Sequence, residues 1–283
     1  MTEPGQARSK LARELAKASR ALTARVGFSI GAEAKCPAML LLVLLSPDEQ
    51  DLARTALEAG ASGLLVELVS EGEAGISAEA IDKVGGIVKI AEGRPCGVLV
   101  RSPDNGLVER LDQLAAAGVD FVALPIQKAS VALLRQSSIG KVLCIDSSVR
   151  AESLRGIGAL PVDAVLLETV PSEKAGGPLT IHQLLLYRQM VELAQKPVIV
   201  AAQLKLQPED APFLRSLGIE AVLVRAEAAT SPVETIKGLR QAIDRLPQTV
   251  AKLRIRGEEA VPSIGSSMVA RTPVEEEEEE DDD

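Results

Sequence analysis

The chain has 283 residues, 46% apolar and 25% charged, enough for one large domain or two small ones. The nine consecutive acids Glu275 to Asp283 account for the whole formal net charge of −9, so the rest is electrically balanced and offers nucleic acid no net positive charge. The apolar stretch Pro37 to Leu45 is too short to span a bilayer, and no secretory signal pattern opens the chain, so a cytoplasmic protein is expected.

In chain order, residues 1–25 hold a basic amphipathic segment. Between residues 6 and 23, Leu11, Leu15 and Leu22 recur at helical spacing opposite Arg8, Lys10, Arg13, Lys17 and Arg20. This predicts a helix packed across one end of the fold; a membrane-surface or partner-binding helix is the other reading of the same pattern. Val26 to Ile30 is a candidate short strand, and would shift the strand count by one if it were the first.

From there to about residue 247, two kinds of short, β-branched apolar run alternate. One is introduced by a basic residue: Lys35-Cys-Pro-Ala-Met-Leu-Leu-Leu, Arg94-Pro-Cys-Gly-Val-Leu-Val-Arg101, Lys141-Val-Leu-Cys-Ile-Asp146 and Lys196-Pro-Val-Ile-Val. The other reads Ala59-Gly-Ala-Ser-Gly-Leu-Leu-Val-Glu67, Ala117-Gly-Val-Asp-Phe-Val-Ala-Leu124, Pro161-Val-Asp-Ala-Val-Leu-Leu-Glu168 and Gly218-Ile-Glu-Ala-Val-Leu-Val-Arg225. Strands with no polar face belong in a parallel sheet covered on both sides, and helical segments separate these runs. Eight right-handed βα units close into a (βα)8 barrel spanning residues 26–247.

The cysteines, Cys36, Cys96 and Cys144, lack Cys-x-x-Cys spacing and read as buried thiols rather than disulfide or zinc partners. Helix starts are expected at Ser46-Pro-Asp-Glu49 and Ser102-Pro-Asp-Asn-Gly106, where a hydroxyl cap, proline and early acids suit free amides, and at Thr180. A helical segment is also expected over Gln207 to Leu217. The longest loop, Thr169 to Thr180, carries Gly176-Gly177 and could move as a lid. Residues 248–274 read as a linker and 275–283 as a disordered acidic tail that adds solubility or meets a basic partner.

In such a barrel the strand C-termini and following loops build the site. Charges that end apolar runs are Glu67, Arg101, Asp146, Glu168 and Arg225, with Lys128 and Lys205 just beyond. Glu67, Glu168 and Arg225 each lie five residues past a polar position of the repeat, Ser62, Asp163 and Glu220, so they share a direction. Asp146 and Glu168 end adjacent strands and are the first choice as an acid and base pair; two such acids could also ligate a metal, but no metal is assigned. Lys128 or Lys205 is a candidate carbonyl-binding amine if desolvated, or an anion clamp. His182, the only histidine, follows Thr180 and is a further candidate base.

The last quarter, Pro197-Val-Ile-Val-Ala-Ala-Gln-Leu, Pro208-Glu-Asp and Leu217-Gly-Ile-Glu-Ala-Val-Leu-Val-Arg-Ala, resembles the close of the phosphate-binding, aldolase-type barrels. Indole-3-glycerol-phosphate synthase, thiamine-phosphate synthase and flavin-linked barrels are of that kind. The resemblance implies a phosphate cradle after strands seven and eight, where those families carry glycines. This chain carries Ala202-Gln203 and Arg225 instead, so Gln203 and Arg225, with Arg101 and Lys205, become candidate anion holders. The cofactor, including any flavin, is left open. Two readings follow: an enzyme of lyase or isomerase type acting on a small anionic metabolite, or a catalytically degenerate barrel working as an interaction protein through its basic helix and acidic tail. Aromatic content of 1%, no Trp and one His suit the second. A homo-oligomer is expected in either case.

Overall fold

The computed structural model describes residues 9–23, 37–69, 75–103, 106–146, 149–168, 178–202, 206–225 and 231–246. Eight parallel strands form a closed barrel: β1 (Leu40–Leu45), β2 (Gly63–Leu68), β3 (Cys96–Val100), β4 (Phe121–Pro125), β5 (Gly140–Ile145), β6 (Ala164–Glu168), β7 (Val198–Ala202) and β8 (Ala221–Arg225). Each overlaps one of the alternating runs of the sequence, and β1 begins at Leu40, so the strand count stands. Residues 26–30 lie outside the described residues.

All of β1 is buried, as an apolar strand between lumen and helices must be. Pairing runs from Leu40 through Ala221, Ile199, Leu166, Cys144 and Pro125. Continued around the ring it returns to β1 eight residues higher, the stagger of a TIM barrel.

The outer layer is α2 (Gln50–Glu58), α3 (Ala78–Ile90), α4 (Leu107–Ala116), α5 (Ala151–Leu154), α6 (Ile181–Ala194), α7 (Ala211–Ser216) and α8 (Pro232–Asp244). After β4 the crossover holds only a 3-10 helix, Val131–Arg135, capped by Ser130. Two expected caps move. Ser46 and Glu49 close a turn on each other, with Ser46 N donating to Glu49 Oε2 at 2.6 Å, and α2 starts only after it, with Glu49 at the N-cap position and no side-chain cap bond there. Gly106, with no side-chain cap, precedes α4. Thr180 does cap α6, in a reciprocal capping box with Gln183. The segment expected over Gln207 to Leu217 begins with a 3-10 turn at Pro208–Asp210 before α7.

The lumen is lined by alternate residues, many of them small: Ala123, Ala164, Ala201 and Ala221 beside Leu42, Leu65, Leu99 and Leu223. That leaves room below, and α1 (Lys10–Thr23) fills it. Leu11 and Leu15, both 0% exposed, join the lumen cluster, and each contributes about 2 kcal/mol by burial. The helix expected from its leucine spacing therefore does pack across the N-terminal end of the barrel. Its start is held by polar groups of the strand entries. Asp120 accepts the amides of Lys10 at 2.7 Å and Leu11 at 2.8 Å, and the Ser9 hydroxyl donates to Asp163 at 2.8 Å. Farther along, the fully buried Arg215 donates from Nη2 to Ala18 O at 3.0 Å. Its Nε and Nη1 find no partner.

Beside it lies Glu220, 7% exposed, whose carboxylate accepts the Val198 amide at 2.8 Å and is hydrogen-bonded by the Ser19 hydroxyl. Burial pushes the Glu220 carboxyl up to about 7, against these bonds and the Arg215 charge. Burial likewise brings the Arg215 guanidinium down to about 10, despite the nearby Glu220.

Candidate functional site

The alternation of a strand sends every second residue into the lumen, and the series that lines it ends at the C-terminal edge in charge. After Leu65 comes Glu67, after Leu99 comes Arg101, after Leu166 comes Glu168 and after Leu223 comes Arg225. These four side chains meet over the barrel. Arg101 donates from Nε to Glu67 and from Nη1 to Glu168 Oε1, the latter at 2.8 Å, while Arg225 donates from Nη2 to the other oxygen of Glu67. β3 and β6 stand three strands apart in the ring, so the Arg101 to Glu168 bond crosses the mouth.

The two glutamates are 16% exposed, and Arg101 and Arg225 are 40% and 35% exposed, so the arginines keep a face toward solvent. Burial alone would raise the Glu67 carboxyl, but the hydrogen bonds from Arg225 and Arg101 outweigh it and hold the group below the usual carboxylate range. Burial opposes the charge of Arg101 too, and Glu67 and Glu168 overcome it, keeping the guanidinium more firmly protonated. Glu67 is therefore a fixed anion and a weak base. Glu168, bonded to Arg101 through one oxygen, is the freer carboxylate of the two.

Just below, burial and then the Glu168 charge push the Cys144 thiol well above its ordinary value, which makes it an inert wall rather than a nucleophile. Cys96 is buried and free as well, pushed up to about 12 mainly by burial. Cys36 lies outside the described residues.

No family model matches the chain, and no curated protein matches it. Its backbone is similar to a thiamine phosphate pyrophosphorylase from Pyrococcus furiosus, with a TM-score of 0.54 and 15% identity over 74% of this chain and 96% of that one. It is similar also to a Mycobacterium tuberculosis tryptophan synthase, with a TM-score of 0.57 and 16% identity over 72% and 92%. A variant tryptophan synthase alpha-subunit from Pyrococcus furiosus gives 0.54 and 17% over 73% and 98%. The chain shares their fold. At such identities the likeness reaches no further than architecture, and at that level the resemblance to phosphate-binding barrels read from the last quarter of the sequence holds.

Of the residues singled out from sequence, the structure joins Arg101, Glu168 and Arg225 in one network. The residue that joins them is Glu67, noted in the sequence as a charged strand end but given no role. Asp146, the first-choice partner of Glu168, accepts from Gln127 Nε2 at 3.3 Å, and Glu168 is engaged by Arg101. Lys128 is exposed rather than desolvated and donates to Arg101 O and Ser102 Oγ, both at 3.2 Å, bracing the end of β3. His182 is exposed on the first turn of α6. Gln203, Lys205 and the glycine pair Gly176-Gly177 lie outside the described residues. Among the described residues there is no group of three His, Cys, Asp or Glu side chains placed to hold a metal, and no helix long and apolar enough to cross a membrane.

Proposed function

We propose that the mouth of the barrel binds a small anionic metabolite, phosphorylated or carboxylate-bearing, and carries lyase or isomerase chemistry on it. The observation that supports this is the convergence of two guanidiniums and two carboxylates from four strands on the axis at the C-terminal edge. Glu67 orients both arginines. An incoming anion takes the place of Glu168 at Arg101 Nη1, where a guanidinium offers bidentate contact. Glu168, released, is then the group placed to move a proton, with Asp146 farther out on the rim. Similarity of fold to a protein named for thiamine phosphate is in keeping with a phosphorylated ligand.

The test is a thermal-shift screen against phosphorylated and carboxylate metabolites at constant ionic strength. A ligand at a hundred times its Kd stabilises by about 2.7 kcal/mol. Arg101→Gln and Arg225→Gln should abolish the shift, and Glu168→Gln should keep binding while losing turnover. A shift untouched by either arginine change refutes the assignment.

A second reading rests on a different aspect of the same network: each charge in it already has an opposite partner. Such a mouth suits a barrel without catalysis, in which Arg225 fills the space that a glycine leaves open in the phosphate-binding families. The protein would then act through its basic first helix and its acidic run, with a basic partner for the latter. Affinity capture with the chain and with a variant carrying Gln and Asn throughout 275–283 distinguishes it, since only this reading expects partners to be lost. Light scattering on the same samples reports whether the chain forms a homo-oligomer.

A further inference from the structure

A cavity of about 930 Å³ lies at the other end of the barrel, among the strand entries. α1 forms one wall with Lys10, Arg13, Glu14 and Lys17, and the last turns of α8 form another with Arg240 and Asp244. Arg94, just before β3, closes the third side, and Leu40 and Ile243 lie in the floor.

Some of the lining charge cancels internally. Lys17 pairs with Glu14 at 2.6 Å, and Arg240 Nη2 pairs with Asp244 at 2.5 Å. The rest does not. Arg94 spends Nη1 on two neutral acceptors, Leu57 O at 3.0 Å and Ala61 O at 2.9 Å. Arg13 makes no side-chain ion pair with any described residue. Lys10 lies near Asp120, which is not part of the lining and offsets some of the Lys10 charge while accepting the first amides of α1. Against these three cations the lining sets one further acid, Glu92.

Lys10 and Arg13 stand one turn apart, about 4.5 Å along the helix axis. Arg94 lines the same cavity from the bend before β3, where its Nη1 is anchored to Leu57 O and Ala61 O. Cations on two walls are not served by one monoanion, whereas a molecule bearing two or more anionic groups can reach both. The volume falls in the range of about 300–1,000 Å³ typical of small-molecule sites. A long polyanion would instead be expected to follow an open stripe of charge.

We propose that this cleft binds a small polyanion carrying at least two phosphate or carboxylate groups, at a site separate from the mouth and independent of the function proposed there. The test is calorimetric titration of the full chain with inorganic pyrophosphate, with ionic strength held constant by sodium chloride. Saturable binding of one equivalent is expected. Lys10→Gln/Arg13→Gln should weaken it at least tenfold, Arg13→Lys should retain it, and Arg101→Gln/Arg225→Gln should leave it unchanged. The two α1 positions point away from the lumen leucines, so far-UV circular dichroism should show the helix intact. Binding indifferent to the α1 changes, or absent altogether, overturns the proposal. Loss on changing Arg101 and Arg225 moves the binding to the mouth and overturns it too. So does a nonapeptide of six Glu and three Asp that binds more tightly than pyrophosphate, because it makes the occupant a peptide.

Discussion

Glu220→Gln tests whether burial of a carboxylate beneath α1 costs the fold stability at neutral pH. In the unfolded chain this carboxyl loses its proton near 4.5; in the folded chain it holds on to about 7. Between those values the folded state binds the extra proton, so the Glu220 contribution to stability is full below pH 4.5 and falls as pH rises toward 7. Each tenfold change in proton affinity is worth about 1.4 kcal/mol, so the ionised side chain costs the fold about 3 kcal/mol. Glutamine resembles the protonated acid and can still accept the Val198 amide. Urea unfolding followed by far-UV circular dichroism, which suits a chain with no Trp, gives the difference between variant and parent. That difference should be near zero at pH 4.5 and reach about 3 kcal/mol in favour of Gln at pH 8; other titrating groups are common to both and drop out. A pH-independent difference, or a variant less stable than the parent at pH 8, refutes the reasoning.

Glu67→Gln should cost about 1 kcal/mol at pH 7, a figure kept low because Arg101 and Arg225 are 40% and 35% exposed, and urea unfolding measures it. The Glu67 carboxyl is depressed, so its contribution is complete above pH 4.5 and is lost as pH falls through the folded-state value; the penalty of the change should fade with it. Gly97→Ala would set a Cβ 2.5 Å from the ring of Phe121, which is 1% exposed and hemmed in by the lumen; a loss of about 1–3 kcal/mol is expected in thermal unfolding, partly restored by adding Phe121→Leu. Asp120→Ala removes the acceptor for the first two amides of α1 and should cost about 1–2 kcal/mol, with faster hydrogen exchange at Lys10 and Leu11. Leu15→Ala opens a hole at the base of the lumen and should cost about 2–5 kcal/mol in the same unfolding assay.

The barrel was legible from residue order because its cause is local. A strand covered on both faces must be apolar throughout, and eight such runs in two alternating forms admit few other arrangements. The leucine spacing of α1 told in the same way that one face would be buried, and the shared register of Glu67, Glu168 and Arg225 told that these charges would leave the strands in one direction. Cap positions were less legible. Ser46 has the chemistry of an N-cap and its amide donates to the Glu49 carboxylate as in a capping box, but regular helix starts only at Gln50, a boundary that depends on backbone path rather than residue type.

Ring closure decided the rest. Arg101 meets Glu168 across the mouth, and Arg225 meets Glu67 over a sequence separation of 158 residues, only because β8 pairs with β1. Residue order therefore marked the charged ends, and the closed barrel chose their partners, with Glu67 bonded to both arginines. The same holds below, where Arg215 reaches Ala18 O across 197 residues and the walls of the lower cleft come from the first and last helices of the barrel. Hydrophobic periodicity is written into neighbouring residues. Which charge meets which is a matter of distance in the closed fold, and no stretch of chain carries that information alone.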